Sequence, residues 1–167
     1  MANRLIELAR EVIRAHLAGR AYHPENPSLP PQGCFVSLKI QGRLRGCIGT
    51  IKPTQPTLEQ EVAANAIAAG FRDPRFPPLR PEELSRLSIS IDLLSAPEKV
   101  DSLDQLDPAR YGAIVRAGER SGVLLPDLPG VEDAARQVAI CREKGRIPED
   151  EPVTLYRFSV ERLKETE

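Results

Sequence analysis

Apolar residues recur at Leu5, Leu8, Ala9 and Val12, and His16 continues the series. This spacing of three and four predicts an amphipathic helix over 4–18, with Asn3 as its cap. His16 edges the apolar stripe and reads as a packed or partly buried structural histidine rather than a catalytic one. The periodicity then stops at "YHPENPSLPPQG", 22–33, a proline-rich connection in which His23 reads as an exposed bystander. "CFVSLKI", 34–40, is strand-like, Gln41-Gly42 turns the chain, and "RLRGCIGTI", 43–51, returns. The pair predicts a hairpin.

Thr57 with Gln60 forms a capping-box pattern, and Leu58, Val62, Ala66 and Ala69 mark one face of a helix running to about Gly70. The alanines on that face predict close packing against a sheet. "FRDPRFPPLRPEEL", 71–84, carries four prolines and is irregular until Pro81-Glu82-Glu83, which reads as the first turn of a short helix. "LSISIDLL", 87–94, alternates as a strand with one buried face, and 95–110 is a polar connection. A second hairpin is predicted over 111–128 around "AGERSG". A helix follows over 131–144, with Val131, Ala134, Ala135, Val138 and Cys141 on one face and Gly145 as C-cap. "VTLYRFSV", 153–160, is the last predicted strand. Hairpins outnumber strand–helix–strand units, so the class is α+β: a largely antiparallel mixed sheet packed with about three main helices.

Composition narrows the classes. The chain has 167 residues, 41% hydrophobic, enough for one domain over 1–167 with a sizeable core and room for two lobes. Net charge is −1, so no global basic field points to nucleic acid, and few aromatics are available for stacking. The N-terminal stretch is charged throughout, unlike a signal peptide, and no apolar run is long enough to span a membrane. Three cysteines, Cys34, Cys47 and Cys141, form no CxxC pair. A reducing cytoplasmic setting is therefore expected, with no metal site and no cofactor indicated.

The chemistry concentrates in 39–52, which holds Lys39, Arg43, Arg45 and Lys52 and no acid. Regular alternation over 43–49 sets Leu44 and Ile48 on the core side, and Arg43, Arg45 and Cys47 on the other. Guanidiniums beside Cys47 would favour a thiolate, suiting a nucleophile, a redox-sensitive thiol or a site for a small anionic ligand. Gly46 and Gly49 would let a ligand or another backbone approach closely. A bulge at Gly46 would slip this register, and a small core-side thiol is the plain alternative. Neither histidine stands at an interpretable offset to act as base. In "RDPRF", 72–76, Asp73 reads first as a turn initiator pairing with Arg72 or Arg75, and second as the rim of the Cys47 site together with Arg75.

"LRGCIGT", 44–50, with "GCFVSLKIQG" before it and "FRDPRFPPL" after it, resembles the AMMECR family. "YGAIVRAGERSGVLLPDLPGV" and "CREKGRIPEDEPVTLYRFSV" resemble its prokaryotic branch, the protein A component of the AmmeMemoRadiSam system. The likeness extends over about 3–163. It implies a mixed fold of two closely packed lobes, no established biochemical activity, and a functional site at the LRGCIG hexapeptide, here Leu44, Arg45, Gly46, Cys47, Ile48 and Gly49. It also implies association with a Memo-like protein and a radical-SAM protein. Two functions stay open: a binding or partner subunit, or an enzyme using Cys47 with Arg45 as electrostatic support and Asp73 or Arg75 orienting a substrate.

Overall fold

The computed structural model describes residues 1–165, in two compact units. The first comprises 1–94 and the C-terminal segment from Glu161; the second is Ser95–Val160. Both are built on four-stranded antiparallel sheets, as the α+β expectation requires.

In the first unit, α1 (Ala2–Leu17) is followed by β1 (Cys34–Ile40), β2 (Arg43–Thr50), α2 (Leu58–Phe71), a 3-10 turn over Pro81–Arg86 and β3 (Leu87–Leu94). Strand β8 (Val160–Lys164) completes the sheet in the order β2-β1-β3-β8. Helix α2 packs on β1 and β2, and α1 packs on α2 and β3. Between helices and sheet lies a core that includes Leu5, Ile13, Val36, Leu38, Val62, Ala66, Ile89 and Ile91. The alanines of α2 bring its backbone close to the strands, as their spacing suggested.

The β1–β2 turn follows from two residues. Gln41 and Gly42 both hold positive φ, 52° and 75°, and Ile40 pairs with Arg43 across them. A two-residue loop with positive φ at both positions matches the twist of antiparallel strands. Thr57 caps α2, its side chain accepting from the Gln60 N–H. Asn3 does not cap α1; the helix begins at Ala2, two residues earlier, after Met1.

The second unit contains β4 (Glu98–Val100), β5 (Gly112–Ala117), β6 (Arg120–Leu124), α3 (Ala134–Gly145) and β7 (Thr154–Phe158), in the sheet order β4-β7-β5-β6. Helix α3 lies on β5 and β6, closing a core around Val115, Leu124, Cys141 and Ile147. Gly145 is the last helical residue, and the cap is Arg146 in the left-handed region. The predicted terminal strand is in fact two: Ser159 interrupts it, and β7 and β8 belong to different sheets.

Candidate functional site

Strand β2 forms one edge of its sheet. Its pairing with β1 runs regularly from Thr50 to Gly46, opposite Cys34 to Leu38, and then slips: Lys39 faces Leu44, leaving Arg45 without a partner. Arg45 is a β-bulge, one residue inserted into one strand. A hairpin closed by Ile40 and Arg43 without a bulge would set Ser37 opposite Gly46; the bulge sets it opposite Cys47.

This overturns part of the predicted facing. Gly46, Ile48 and Thr50 point toward α2, and Cys47 points to the opposite face as expected. Leu44, however, is on the Cys47 side and is 40% exposed. The apolar pair Leu44 and Ile48 is therefore split, and only Ile48 packs against the core. Arg45 does not stand beside the thiol. Its guanidinium forms a two-point contact with Glu83, Nε to Oε1 at 2.9 Å and Nη2 to Oε2 at 3.2 Å, and Nη2 also reaches the Pro78 carbonyl at 3.3 Å. That pair, with the Arg80 N–H also donating to Glu83, holds the Glu83 carboxyl below its ordinary range. Arg43 is exposed at the hairpin end.

Both glycines answer a steric demand from the protein itself. A Cβ on Gly46 would lie 2.1 Å from the Ala69 carbonyl oxygen of α2. A Cβ on Gly49 would lie 2.2 Å from the Phe35 ring, which sits across the strand pair. The close approach foreseen from sequence is made by a helix backbone and an aromatic ring.

Asp73 and Arg75 close the open side of β2 at Cys47. The Asp73 side chain is 1% exposed. Its Oδ2 accepts from the Cys47 N–H at 3.0 Å and from Arg75 Nη2 at 2.8 Å. Its Oδ1 accepts from the Arg75 N–H at 3.1 Å and from Arg75 Nε at 3.0 Å. Arg75 Nη2 also donates to the Cys47 carbonyl at 3.2 Å. The two side chains thus meet the backbone groups that an added strand would otherwise meet, which protects the edge. Arg75, then burial opposing it, then the Cys47 N–H set the Asp73 carboxyl, and the net effect holds it well below the usual carboxylate range. The same contact raises the Arg75 guanidinium. Both sequence readings of Asp73, turn initiator and neighbour of Cys47, describe the one carboxylate, since Oδ1 to the Arg75 N–H is an Asx turn.

The Cys47 thiol is half-buried, and the Ser37 hydroxyl donates to Sγ at 3.2 Å. Because the Cys47 N–H points outward to Asp73, residues 37 and 47 form a non-hydrogen-bonded pair, the arrangement that brings facing side chains closest. Cys34 and Cys141 are buried, and burial pushes their thiols up to about 12 and about 11. His16 packs its ring against Phe71, centroids 4.2 Å apart and planes tilted by 40°, so it is packed as expected although exposed rather than partly buried; His23 is exposed in its loop.

The AMMECR1 family profile matches residues 6–163. A protein of Thermotoga maritima is 52% identical over 134 residues, covering 79% of this chain and 77% of that protein. A protein of Clostridium acetobutylicum is 41% identical over 168 residues, 96% of this chain but only 36% of its own length. The crystal structure of an uncharacterised protein from Pyrococcus horikoshii superposes with a TM-score of 0.85 at 31% identity, covering 95% of this chain and 88% of that one. The chain belongs to the AMMECR1 family.

The AMMECR1 fold also brings in residues that the sequence reading left aside. Ser37 and Glu83 partner Cys47 and Arg45, positions that only the bulge and the 71–86 path define. Beneath the hexapeptide, the buried Glu61 accepts from Thr50 Oγ1 at 2.6 Å, from the Thr54 N–H and Gln55 N–H at 2.7 Å each, and from Thr54 Oγ1 at 2.9 Å. These bonds outweigh the burial that would raise its carboxyl and leave it lowered. Asn65 donates to the Cys34 carbonyl at 3.0 Å and to Thr50 Oγ1 at 3.2 Å. A polar residue on the inward face of α2 was the available signal: Glu61 and Asn65 are four apart, one turn of helix. No group of three or more potential metal ligands occurs among the described residues.

Proposed function

We propose that this AMMECR1-family chain is a binding or partner subunit that works with a Memo-like protein and a radical-SAM protein through a surface centred on residues 44–49. The observation that carries this reading is that the carboxylates near Cys47 are committed to other partners, although one Arg45 nitrogen, Nη1, is buried without a hydrogen-bond partner. Asp73 is held by Arg75 and two backbone N–H groups, and Arg45 by Glu83. A thiol nucleophile works with an adjacent base. The recorded side-chain partner of Cys47 is instead a serine hydroxyl.

What is left for a partner is the outer surface of the same stretch. Leu44 is 40% exposed, Arg75 56%, and Arg43, Pro77 and Pro78 are exposed as well. An apolar side chain ringed by guanidiniums suits an apolar anchor flanked by acids, the pattern in which a central buried contact carries affinity and charges set orientation. Capture of purified Memo-like and radical-SAM proteins on the immobilised chain tests the reading. Leu44→Asp is expected to abolish capture without changing the circular dichroism spectrum; unchanged capture by that variant removes residues 44–49 from the interface.

The second reading, an enzyme with Cys47 as nucleophile or redox-active thiol, is favoured by one observation: Cys47 is the described cysteine that is not buried. Iodoacetamide alkylation of Cys47 followed from pH 6 to pH 9 tests it. A rate already at its plateau at pH 6 would favour the enzyme.

A further inference from the structure

Helices α1 and α2 lie side by side and run the same way, with Leu5 and Leu8 near Glu59 at one end and His16 on Phe71 at the other. At the C-terminal end a cavity of about 300 Å³ opens between them. Its floor includes Val12, Ala63 and Ile67, and His16, Arg20 and Arg72 stand around it. Among the described residues, no carboxylate lines it. A second cavity, at the N-terminal end, is lined instead by Glu7, Glu11, Glu25 and Glu59 with Arg4. The two ends of the helix pair therefore carry opposite charge.

We infer that the cationic end is a binding site, separate from the Cys47 surface, for a small carboxylate with an apolar body. The backbones of the two arginines are fixed at the helix ends, and both residues are exposed. The Arg20 N–H donates to the Ala15 carbonyl at 2.8 Å, folding the chain back over the end of α1, and the Arg72 N–H donates to the Ala68 carbonyl at 2.9 Å. Their guanidiniums, however, form no ion pair or side-chain hydrogen bond among the described residues. Cations at helix C-termini are favoured by the helix dipole alone. The dipole accounts for the positive charge but leaves the fork of donors on each guanidinium facing solvent without a protein acceptor, and that fork matches a carboxylate. The volume lies at the lower limit of ordinary ligand pockets, which combine an apolar lining with a few converging polar groups. A short aliphatic or aromatic acid meets both requirements, its chain on Val12, Ala63 and Ile67 and its head between Arg20 and Arg72.

Titration of the 15N-labelled full chain with octanoate, octanamide and inorganic phosphate tests this. Octanoate is expected to move the amide resonances of Ile67 and Arg72 saturably, and octanamide to bind about tenfold more weakly or worse, the effect of losing a charged hydrogen-bond acceptor. Arg20→Gln and Arg72→Gln should each weaken octanoate about tenfold on the same grounds. Neither should change the melting temperature, since neither guanidinium holds the fold. Equal binding of octanoate and octanamide, phosphate binding as tightly as octanoate, or shifts that map away from α1 and α2 would each overturn the site and leave the arginines as helix-end charges. None of these outcomes bears on the Leu44 surface.

Discussion

Asp73→Asn and Arg75→Ala break the same contact from opposite ends, and the structure predicts that they behave differently. Asp73→Asn keeps the volume but turns one carboxylate oxygen into an NH2 group. Each oxygen accepts two hydrogen bonds, so two bonds are lost and a donor is set against donors. Charged hydrogen bonds are worth about 1.5–3 kcal/mol each, but Arg75 is 56% exposed and regains water, which discounts its share. The loss that remains is about 2 kcal/mol, mostly the Cys47 N–H or the Arg75 N–H left without an acceptor. Arg75→Ala instead leaves a carboxylate that is 1% exposed with two backbone donors and no cation. Removing one member of a buried pair costs more when the survivor is the buried one, about 3 kcal/mol here. The pH dependence carries the sign. The folded-state value of Asp73 is depressed, so its contribution is complete above the unfolded carboxylate value of about 3.9 and is lost as pH falls through the lower, folded value. Asp73→Asn should therefore flatten the fall in stability below about pH 4. The disadvantage of Arg75→Ala should begin to shrink below about pH 4 and keep shrinking as pH falls toward the folded value of Asp73, because protonation neutralises the stranded carboxylate. The chain has no tryptophan, so urea unfolding is followed by far-ultraviolet circular dichroism at pH 7 and pH 3.5. Losses below about 0.5 kcal/mol for both variants, the range of an ordinary surface change, or equal losses at the two pH values, would refute the clamp.

Three further outcomes follow from the same geometry. Gly46→Ala places a methyl group 2.1 Å from the Ala69 carbonyl oxygen, and this overpacking should cost about 1–3 kcal/mol in the same urea assay. Leu44→Ala should stay within about 0.5 kcal/mol of the parent, being largely exposed, while Ile48→Ala should lose at least about 1 kcal/mol because Ile48 packs on the core. In native protein at pH 8, mass spectrometry should find iodoacetamide on Cys47 and not on Cys34 or Cys141, whose thiols are buried and raised to about 12 and about 11; labelling of all three would contradict the core.

Much of the fold was legible because the elements announce themselves locally. Gln41-Gly42 is a turn dipeptide, Thr57 is a cap, and alternation in 87–94 predicts the β3 strand observed over Leu87–Leu94. The local cap signals at Asn3 and Gly145 missed by a residue or two, and the larger failure was non-local. Alternation treats 43–49 as regular, and one bulge residue, Arg45, moves Leu44 to the other face. The bulge residue's guanidinium is held by Glu83 and the Pro78 carbonyl, and these are more than thirty residues away. Similarly, the break at Ser159 divides one apolar run between two sheets, a choice made by tertiary pairing rather than by strand propensity. Asp73 shows the intermediate case. Its turn chemistry could be read from Asp-Pro, and its place by Cys47 was raised only as an alternative. Its bond to the Cys47 N–H depends on β2 being an edge strand.

The central claim is that the hexapeptide acts through its outer surface and not through its thiol. Binding isotherms of the Memo-like and radical-SAM proteins against Cys47→Ser and Leu44→Asp test it most directly. Cys47→Ser is predicted to bind within about twofold of the parent, and Leu44→Asp at least about tenfold more weakly, the loss expected when an apolar anchor is replaced by a charge. The reverse order, with Cys47→Ser failing and Leu44→Asp binding normally, would contradict the account.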